Sequence, residues 1–289
     1  MINYVDTLCI GGGGTIGISF IGCIDILEEQ SWFSLKNIKI FVGTSIGSLL
    51  SFLFVLGYSN SEVKEFILRF DLNKIEPKTD CINLFSNHGL DHGNNIIEIV
   101  KTFLKEKLGV REITFNELYK RTGKVIKIVV TNYTKSKTEV LDHLSHPDMS
   151  VLLALRMSIS IPLIFTPVNY NNCYYIDGGL LKNFPIDLCN PETTIGLASV
   201  NYNENKLGNL LEYINGICQI FFNIENRRFC NYKYNFIKVY SDVDEFINLS
   251  FDNNKKYHLI NKGKEAVNEF IDHTEVKNII NDMITHIEK

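Results

Sequence analysis

Gly43-Thr44-Ser45-Ile46-Gly47 sets one hydroxyl between two glycines, and the flanking residues say what kind of setting it is. The apolar run Ile38 to Val42 reads as a buried strand, and Leu49 to Leu56 reads as an apolar helix. Strand, tight turn and helix with Gly-x-Ser-x-Gly at the turn is the pattern of a nucleophile elbow. Such a turn leaves no room for a side chain two residues either side of the serine. It holds the serine in a strained conformation, its hydroxyl exposed above the positive end of the helix. Negative charge developing on an attacked ester carbonyl is favoured there. Two plainer readings stand beside this one. The stretch is also compatible with an ordinary strand-to-helix loop capped by the serine, and with a membrane span, because Ile40 to Gly57 carries no charge and approaches the spanning length. Against the span, Gly43, Ser45, Gly47, Ser48 and Ser51 crowd the segment, and no basic residues flank it asymmetrically.

A second constellation precedes the elbow. Val5 to Ile10 reads as a short strand, Gly11-Gly12-Gly13-Gly14-Thr15-Ile16-Gly17 follows at once, and Ile18 to Glu29 reads as a helix. A glycine loop between strand and helix aims several backbone N–H groups at one point and adds the positive helix end, which suits an anion. Gly12, Gly14 and Gly17 fit the dinucleotide pattern, but the next strand ends at Val42-Gly43-Thr44 without the carboxylate that would hold a ribose. No Lys-Ser or Lys-Thr follows the glycines, so a Walker loop fails as well. An oxyanion hole serving Ser45 is the better use of these amides, because adjacent βα turns of a parallel sheet open on the same edge.

A third group supplies the base. The strand through Tyr174-Tyr175-Ile176 delivers Asp177-Gly178-Gly179. Asp-Gly is a common turn, yet a carboxylate at a strand end on a Gly-Gly turn is placed like Ser45 and can serve as general base within hydrogen-bond reach. Serine hydrolases usually use histidine, and Ser45, Asp177, His258 matches the chain order of an α/β-hydrolase triad. That fold, however, has several strands before its nucleophile, and here one strand precedes the elbow strand. A Ser45–Asp177 dyad without histidine is the preferred chemistry. His88 and His92 have the spacing of a metal-binding helix, but Gly89 argues for a loop, and no metal or other cofactor is expected.

The rest of the chain must hold these groups. Its 289 residues, 45% hydrophobic and 21% charged, suit one globular domain spanning 1–289, with a core over about 5–200 and a helical portion over about 205–289. A net charge of -4 without a basic stripe speaks against nucleic acid. The seven cysteines are scattered and never form Cys-x-x-Cys, which suits reduced thiols, and Met1 to Asp6 lacks a basic leader. An intracellular, cytoplasmic protein with peripheral membrane association is expected. Ser59-x-x-Glu62 and Thr114-x-x-Glu117 read as capping boxes. Val63, Phe66, Ile67 and Phe70 share one helical face, as do Ile96, Ile97, Val100, Phe103, Leu104 and Leu108. Between them, Leu72 to His92 with Pro77 and Gly89 reads as a loop or lid. Val125 to Thr131 and Thr138 to Leu141 read as strands, and Asp148 as the cap of a helix ending near Ser158. Pro162 and Pro167 force an extended crossing, and Thr194 to Val200 and Phe236 to Tyr240 are further strands. Beyond Leu207, Leu210, Leu211, Ile214, Cys218, Phe221 and Phe222 form a wide apolar face. Helices around 258–271 and 274–287 close the chain, the last facing inward with Val276, Ile279, Ile280, Met283, Ile284 and Ile287.

Taken together, the sequence resembles the patatin-like phospholipases. The resemblance rests on three ordered motifs: Gly12-Gly13-Gly14-Thr15-Ile16-Gly17, Gly43-Thr44-Ser45-Ile46-Gly47 and Asp177-Gly178-Gly179. Leu155 to Pro162 and Tyr175 to Pro185 agree with the family's connecting text, and the likeness covers roughly residues 5 to 200. It implies a three-layer α/β/α fold around a mainly parallel sheet, and a metal-independent lipid acyl hydrolase acting at a membrane surface. In that picture Ser45 is the nucleophile, Asp177 the base, and the amides of Gly12, Gly13 and Gly14 the oxyanion hole. The family usually has Arg or Lys where this chain has Ile16, which bears on headgroup preference and rate. A catalytically weak lipid-binding or scaffold protein of the same fold is the competing class.

Overall fold

The computed structural model describes residues 4–75, 81–201, 208, 210–228, 234–241 and 252–287. In chain order the elements are β1 (Thr7–Ile10), α1 (Ile18–Glu29), β2 (Ile40–Thr44), α2 (Ile46–Val55), α3 (Asn60–Arg69), α4 (Cys81–Asn87), β3 (Gly89–Asp91) and α5 (Asn94–Leu108). There follow α6 (Phe115–Thr122), β4 (Val125–Asn132), β5 (Lys137–Leu141), α7 (Val151–Ser158), β6 (Leu163–Phe165), β7 (Val168–Tyr170), β8 (Cys173–Asp177) and α8 (Gly179–Lys182). β9 (Thr194–Asn201), α9 (Leu210–Arg228), β10 (Asn235–Ser241) and α10 (Asn253–Ile287) complete the chain. Pro77, Leu207 and Cys230 lie outside the described residues, as do the side chains of Leu210, Leu211 and everything from Thr274 onward.

The main sheet runs β10-β9-β1-β2-β4-β8-β7, with β5 added to β4. Its five members from β10 to β4 are parallel, whereas β5, β7 and β8 join antiparallel. β1 is buried throughout, as a central strand covered on both faces must be. Side-chain alternation then sorts the strands into two cores. Leu8, Ile10, Phe41, Ile195 and Leu197 face one large cluster that includes Phe20 of α1, Phe52 of α2 and Val267 of α10. Cys9, Val42 and Ala198 face the other way, onto Phe184 and Ile186. Helices therefore cover both sides of a mixed sheet, the three-layer α/β/α arrangement.

Both capping boxes form as read, Ser59 with Glu62 and Thr114 with Glu117. Several boundaries differ from the sequence reading. Ser150, not Asp148, caps α7, its hydroxyl accepting the Leu153 N–H. The two C-terminal helices are one helix of 35 residues, because neither glycine nor proline interrupts the chain at Thr274. The stretch read as a loop holds α4 and β3, and β3 pairs in parallel with β6 through Gly89–Leu163 and Asp91–Phe165. β7 and β8 form a hairpin whose turn, Asn171-Asn172, has both residues at positive φ. The membrane-span reading of Ile40 to Gly57 fails on length. Its helical part, α2, has 10 residues, which is about 15 Å against the ~30 Å of a bilayer core. Among the described residues no helix is long and apolar enough to cross a membrane.

Candidate active site

Ser45 follows the last residue of β2 and precedes the first of α2, with φ 53° and ψ -125°. A non-glycine residue there carries about 1–3 kcal/mol of strain, tolerated because its surroundings fix it. The flanking glycines are required by contact. A Cβ on Gly47 would overlap the Ile10 carbonyl oxygen, and one on Gly43 would lie 2.6 Å from the Gly47 and Ser48 backbone. The Ser45 N–H donates to Ser158 Oγ at 2.9 Å, and that hydroxyl donates to the Val129 carbonyl at 2.7 Å. α7 thus grips the elbow from behind. The hydroxyl is not at the protein surface, as the sequence reading had it. Ser45 is 7% exposed, and it opens into a cavity of about 210 Å³.

Register brings the acid to it. β2 and β4 pair in parallel with Thr44 beside Val129, so Ser45 lies level with Val130. β8 runs the opposite way, overlaps the end of β4, and sets Asp177 beside that same Val130. The antiparallel entry lets the C-terminal end of β8 stop at the edge where the parallel strands end. Ser45 Oγ donates to Asp177 Oδ2 at 2.7 Å, and the Gly179 N–H donates to Oδ1 at 2.7 Å. The Asp177 N–H is itself held by the Ser160 carbonyl at 2.9 Å. The carboxyl is 1% exposed. Burial raises its pKa from 3.8 to about 7, against the opposing pull of the bonds from Ser45 and Gly179. Part of that burial comes from α9. Its Cys218 thiol is raised to about 12, chiefly by burial and then by the Asp177 charge. Its Phe222 ring sits where a Cβ on Gly179 would come within 2.6 Å.

The glycine loop reaches the same edge, since β1 and β2 pair with Ile10 beside Gly43. Gly12 departs from its expected part. Its N–H already donates to the Asn183 carbonyl at 2.9 Å, and its carbonyl accepts the Ser199 hydroxyl at 2.7 Å. An amide committed to a carbonyl does not receive an oxyanion, so Gly12 anchors the loop. Gly13 and Gly14 stand at the start of the following turn, Gly14 with φ 52°, where leading N–H groups have no acceptor within the turn. Gly17 packs onto Ile46, the residue after the serine. Ile16 is buried among Ile161, Ile164, Phe165, Ile214, Cys218 and Phe222, surroundings that suit an apolar side chain.

No described histidine hydrogen-bonds to Ser45 or Asp177; His258 is an exposed residue of α10. His88 and His92 flank β3 and are both exposed, and the described residues contain no cluster of metal-ligating side chains. Ser158, Asn183 and Ser199 are positioning residues that the sequence reading did not single out. Their partners lie 113, 171 and 187 positions away in the chain, beyond the reach of any local pattern. The cavity at Ser45 is apolar, walled by Leu49, Leu53, Phe66, Ile96, Val100 and Phe165. Among the described residues that line it none is charged, so none of them would meet a nucleotide phosphate.

Comparison with known proteins agrees with this architecture. Residues 8–189 match the model of the patatin-like phospholipase family. The chain is 30% identical over 269 residues to the probable lipid hydrolase 463L of Invertebrate iridescent virus 6, covering 91% of this chain and 88% of that one. It is 28% identical over 212 residues to the uncharacterized protein R571 of Acanthamoeba polyphaga mimivirus, covering 72% and 70% of the two chains. The crystal structure of VipD from Legionella pneumophila superposes with a TM-score of 0.59 at 16% identity, over 93% of this chain and 67% of that one, a likeness of fold. By the span of the family match and by its similarity to 463L, the chain belongs to the patatin-like phospholipase family.

Proposed function

We propose that this protein is a lipid acyl hydrolase working through a Ser45–Asp177 dyad. The observation that carries the proposal is the 2.7 Å bond from Ser45 Oγ to a buried Asp177 carboxyl at the end of an apolar cavity. A carboxylate with a pKa of about 7 is a better base at neutral pH than an ordinary aspartate, because it holds the abstracted proton more firmly. Asp177 takes the hydroxyl proton as Ser45 Oγ adds to the ester carbonyl, and the Gly13 and Gly14 amides with the positive end of α2 stabilise the oxyanion. The C–O bond to the leaving alcohol breaks, and Asp177 returns the proton to that alcohol. Water, deprotonated by the same carboxylate, then adds to the acyl-serine; the bond to Ser45 Oγ breaks, Asp177 returns the proton to that oxygen, and the fatty acid leaves. The family membership and the 463L likeness support ester hydrolysis of lipids, and an apolar cavity beside the serine supports an acyl chain as the bound part.

A fluorophosphonate probe tests the nucleophile. Wild type is expected to become labelled at Ser45 and to release fatty acid from phosphatidylcholine vesicles, and Ser45→Ala to do neither. Equal labelling of the two proteins ends the proposal, and binding of vesicles without release favours the non-catalytic class.

Ser158→Ala tests the support behind the elbow. It leaves the Ser45 N–H and the Val129 carbonyl without their buried partner, at about 1–3 kcal/mol for each stranded group. The expected result is a roughly tenfold or larger fall in kcat/KM as the serine loses its fixed orientation. Ser158→Thr, which keeps the hydroxyl, is expected to retain more activity, and equal loss in both variants would point to packing instead.

A further inference from the structure

We propose that three phenylalanines, Phe66, Phe70 and Phe103, form a partition that sets the length of acyl chain the Ser45 site accepts. The inference rests on the acyl hydrolase reading above and adds to it a substrate class, medium-chain esters.

The cavity starts at Ser45 and follows two helices away from it. On α2 it is walled by Ile46, Leu49, Leu50 and Leu53, and on α5 by Ile96, Ile99, Val100 and Phe103. Each set repeats at i, i+3, i+4, i+7, one continuous stripe along a helix. Both stripes point the same way. Ile96 packs with Ile16, Ile161 and Phe165 at the glycine-loop end. Phe103 lies at the far end, where its carbonyl accepts the hydroxyl of Tyr58, which follows the close of α2. Seven residues of helix rise about 10 Å. An extended chain advances about 1.2 Å per bond, since a residue of three backbone bonds spans at most ~3.6 Å. The dry length is therefore that of an acyl chain of about eight to ten carbons.

The far wall is aromatic and thin. The Phe66 ring stacks on Phe70 with centroids 5.0 Å apart and meets the edge of Phe103 at 4.7 Å. The same three residues also line a separate groove on the other side, whose remaining walls are Tyr58, Glu62, Glu65, Arg69 and Glu106. Each ring is half-buried, with one side toward the apolar cavity and the other toward this charged groove. A chain that fits stays among aliphatic side chains. A longer one has to displace a ring and enter a groove lined with carboxylates. Each methylene that finds room in the cavity is worth about fourfold in kcat/KM, and each one beyond the rings adds nothing.

The test is a series of p-nitrophenyl esters from butanoate to hexadecanoate on wild type, Phe103→Ala and Ile99→Phe. Wild type is expected to gain about fourfold per methylene up to octanoate or decanoate and to level or fall after it. Phe103→Ala opens the partition into the groove and is expected to move the break to dodecanoate or beyond. Ile99→Phe fills the middle of the cavity and is expected to move it down to hexanoate. A common break in all three active proteins overturns the partition. The same proteins are titrated with the free fatty acids by displacement of a fluorescent fatty-acid analogue. If no ester is hydrolysed, the dyad reading falls, while a break in the binding series that moves or stays still decides whether the phenylalanines limit length.

Discussion

Asp177→Asn is expected to lower turnover by orders of magnitude and, above neutral pH, to make the folded protein more stable. The two effects have one origin in the proposed mechanism, a carboxylate held in a dry site beside Ser45. The amide cannot accept the Ser45 proton, and removing a general base of this kind costs about 10²–10⁴-fold in rate. Geometry survives the change. The amide oxygen still accepts the Gly179 N–H that now meets Oδ1, and the amide nitrogen faces Ser45 Oγ in place of Oδ2. Stability moves the other way. The folded-state pKa of about 7 lies above the unfolded value of 3.8, so the folded protein holds a proton that the unfolded chain has released. Folding is least opposed at or below pH 4, loses ground as pH rises from about 4 to about 7, and carries the full charge-burial penalty above that. A rise of about three pH units corresponds to an upper figure of about 4 kcal/mol. Asparagine has no charge to bury, so the variant should gain most near pH 8 and little near pH 4, read as the difference in urea midpoint across that range. In wild type the same pKa sets the acid limb of kcat/KM, which should fall about tenfold per pH unit below about 7. A variant that is less stable than wild type at every pH would mean that Asp177 is not held as a buried charge.

The pairing of Ser45 with Asp177 was legible because each half of it is local. The elbow is complete within one strand, one turn and one helix, and the Asp177 turn within a few residues. Their convergence is a matter of register, carried by β4 pairing with β2 on one side and antiparallel with β8 on the other. Sequence order alone does not contain that reversal. The cavity was hidden for a different reason. An apolar stripe on a helix marks a face that avoids water, and the stripes of α3 and α5 carry no more than that. Leu104 and Val63 do lie in the core, but Phe66, Ile96 and Phe103 wall an open space. Periodicity reports which face is dry and says nothing of whether that face is filled. The Gly12 N–H meets the Asn183 carbonyl in the segment after β8, a contact that no local pattern signals. β3 and β6 were missed because three-residue strands paired across 74 positions have neither length nor alternation to read.

Gly22→Ala and Gly263→Ala should each be among the most destabilising single substitutions outside the site. α1 and α10 cross with their backbones touching. A Cβ on Gly22 would overlap the Ile260 carbonyl, and one on Gly263 would overlap the Ser19 carbonyl and come within 3.0 Å of the Cys23 nitrogen. The Cys23 thiol also donates to the Gly263 carbonyl at 3.3 Å. Neither obstacle is a flexible side chain, so an added methyl has to push the two helices apart. Doing so loosens Phe20, Ile21 and Ile24 of α1 from their core and is expected to cost about 2–3 kcal/mol, as forced overpacking does. Intrinsic propensity works in the opposite sense, because alanine in an unobstructed helix is about 1 kcal/mol better than glycine. The sign of the measured change therefore decides between contact and propensity. Urea midpoints should fall for both variants, and the double variant should fall by less than the sum, since one methyl already opens the crossing for the other. Glu265→Ala, an exposed site on α10, should stay within about 0.5 kcal/mol of wild type. Because α1 begins at the residue after Gly17, its displacement also drags the glycine loop away from Ser45. Gly263→Ala, remote from the dyad in the chain, should then lower kcat under conditions where the variant is still folded. A rise in midpoint for either glycine would mean that the helices do not cross this closely.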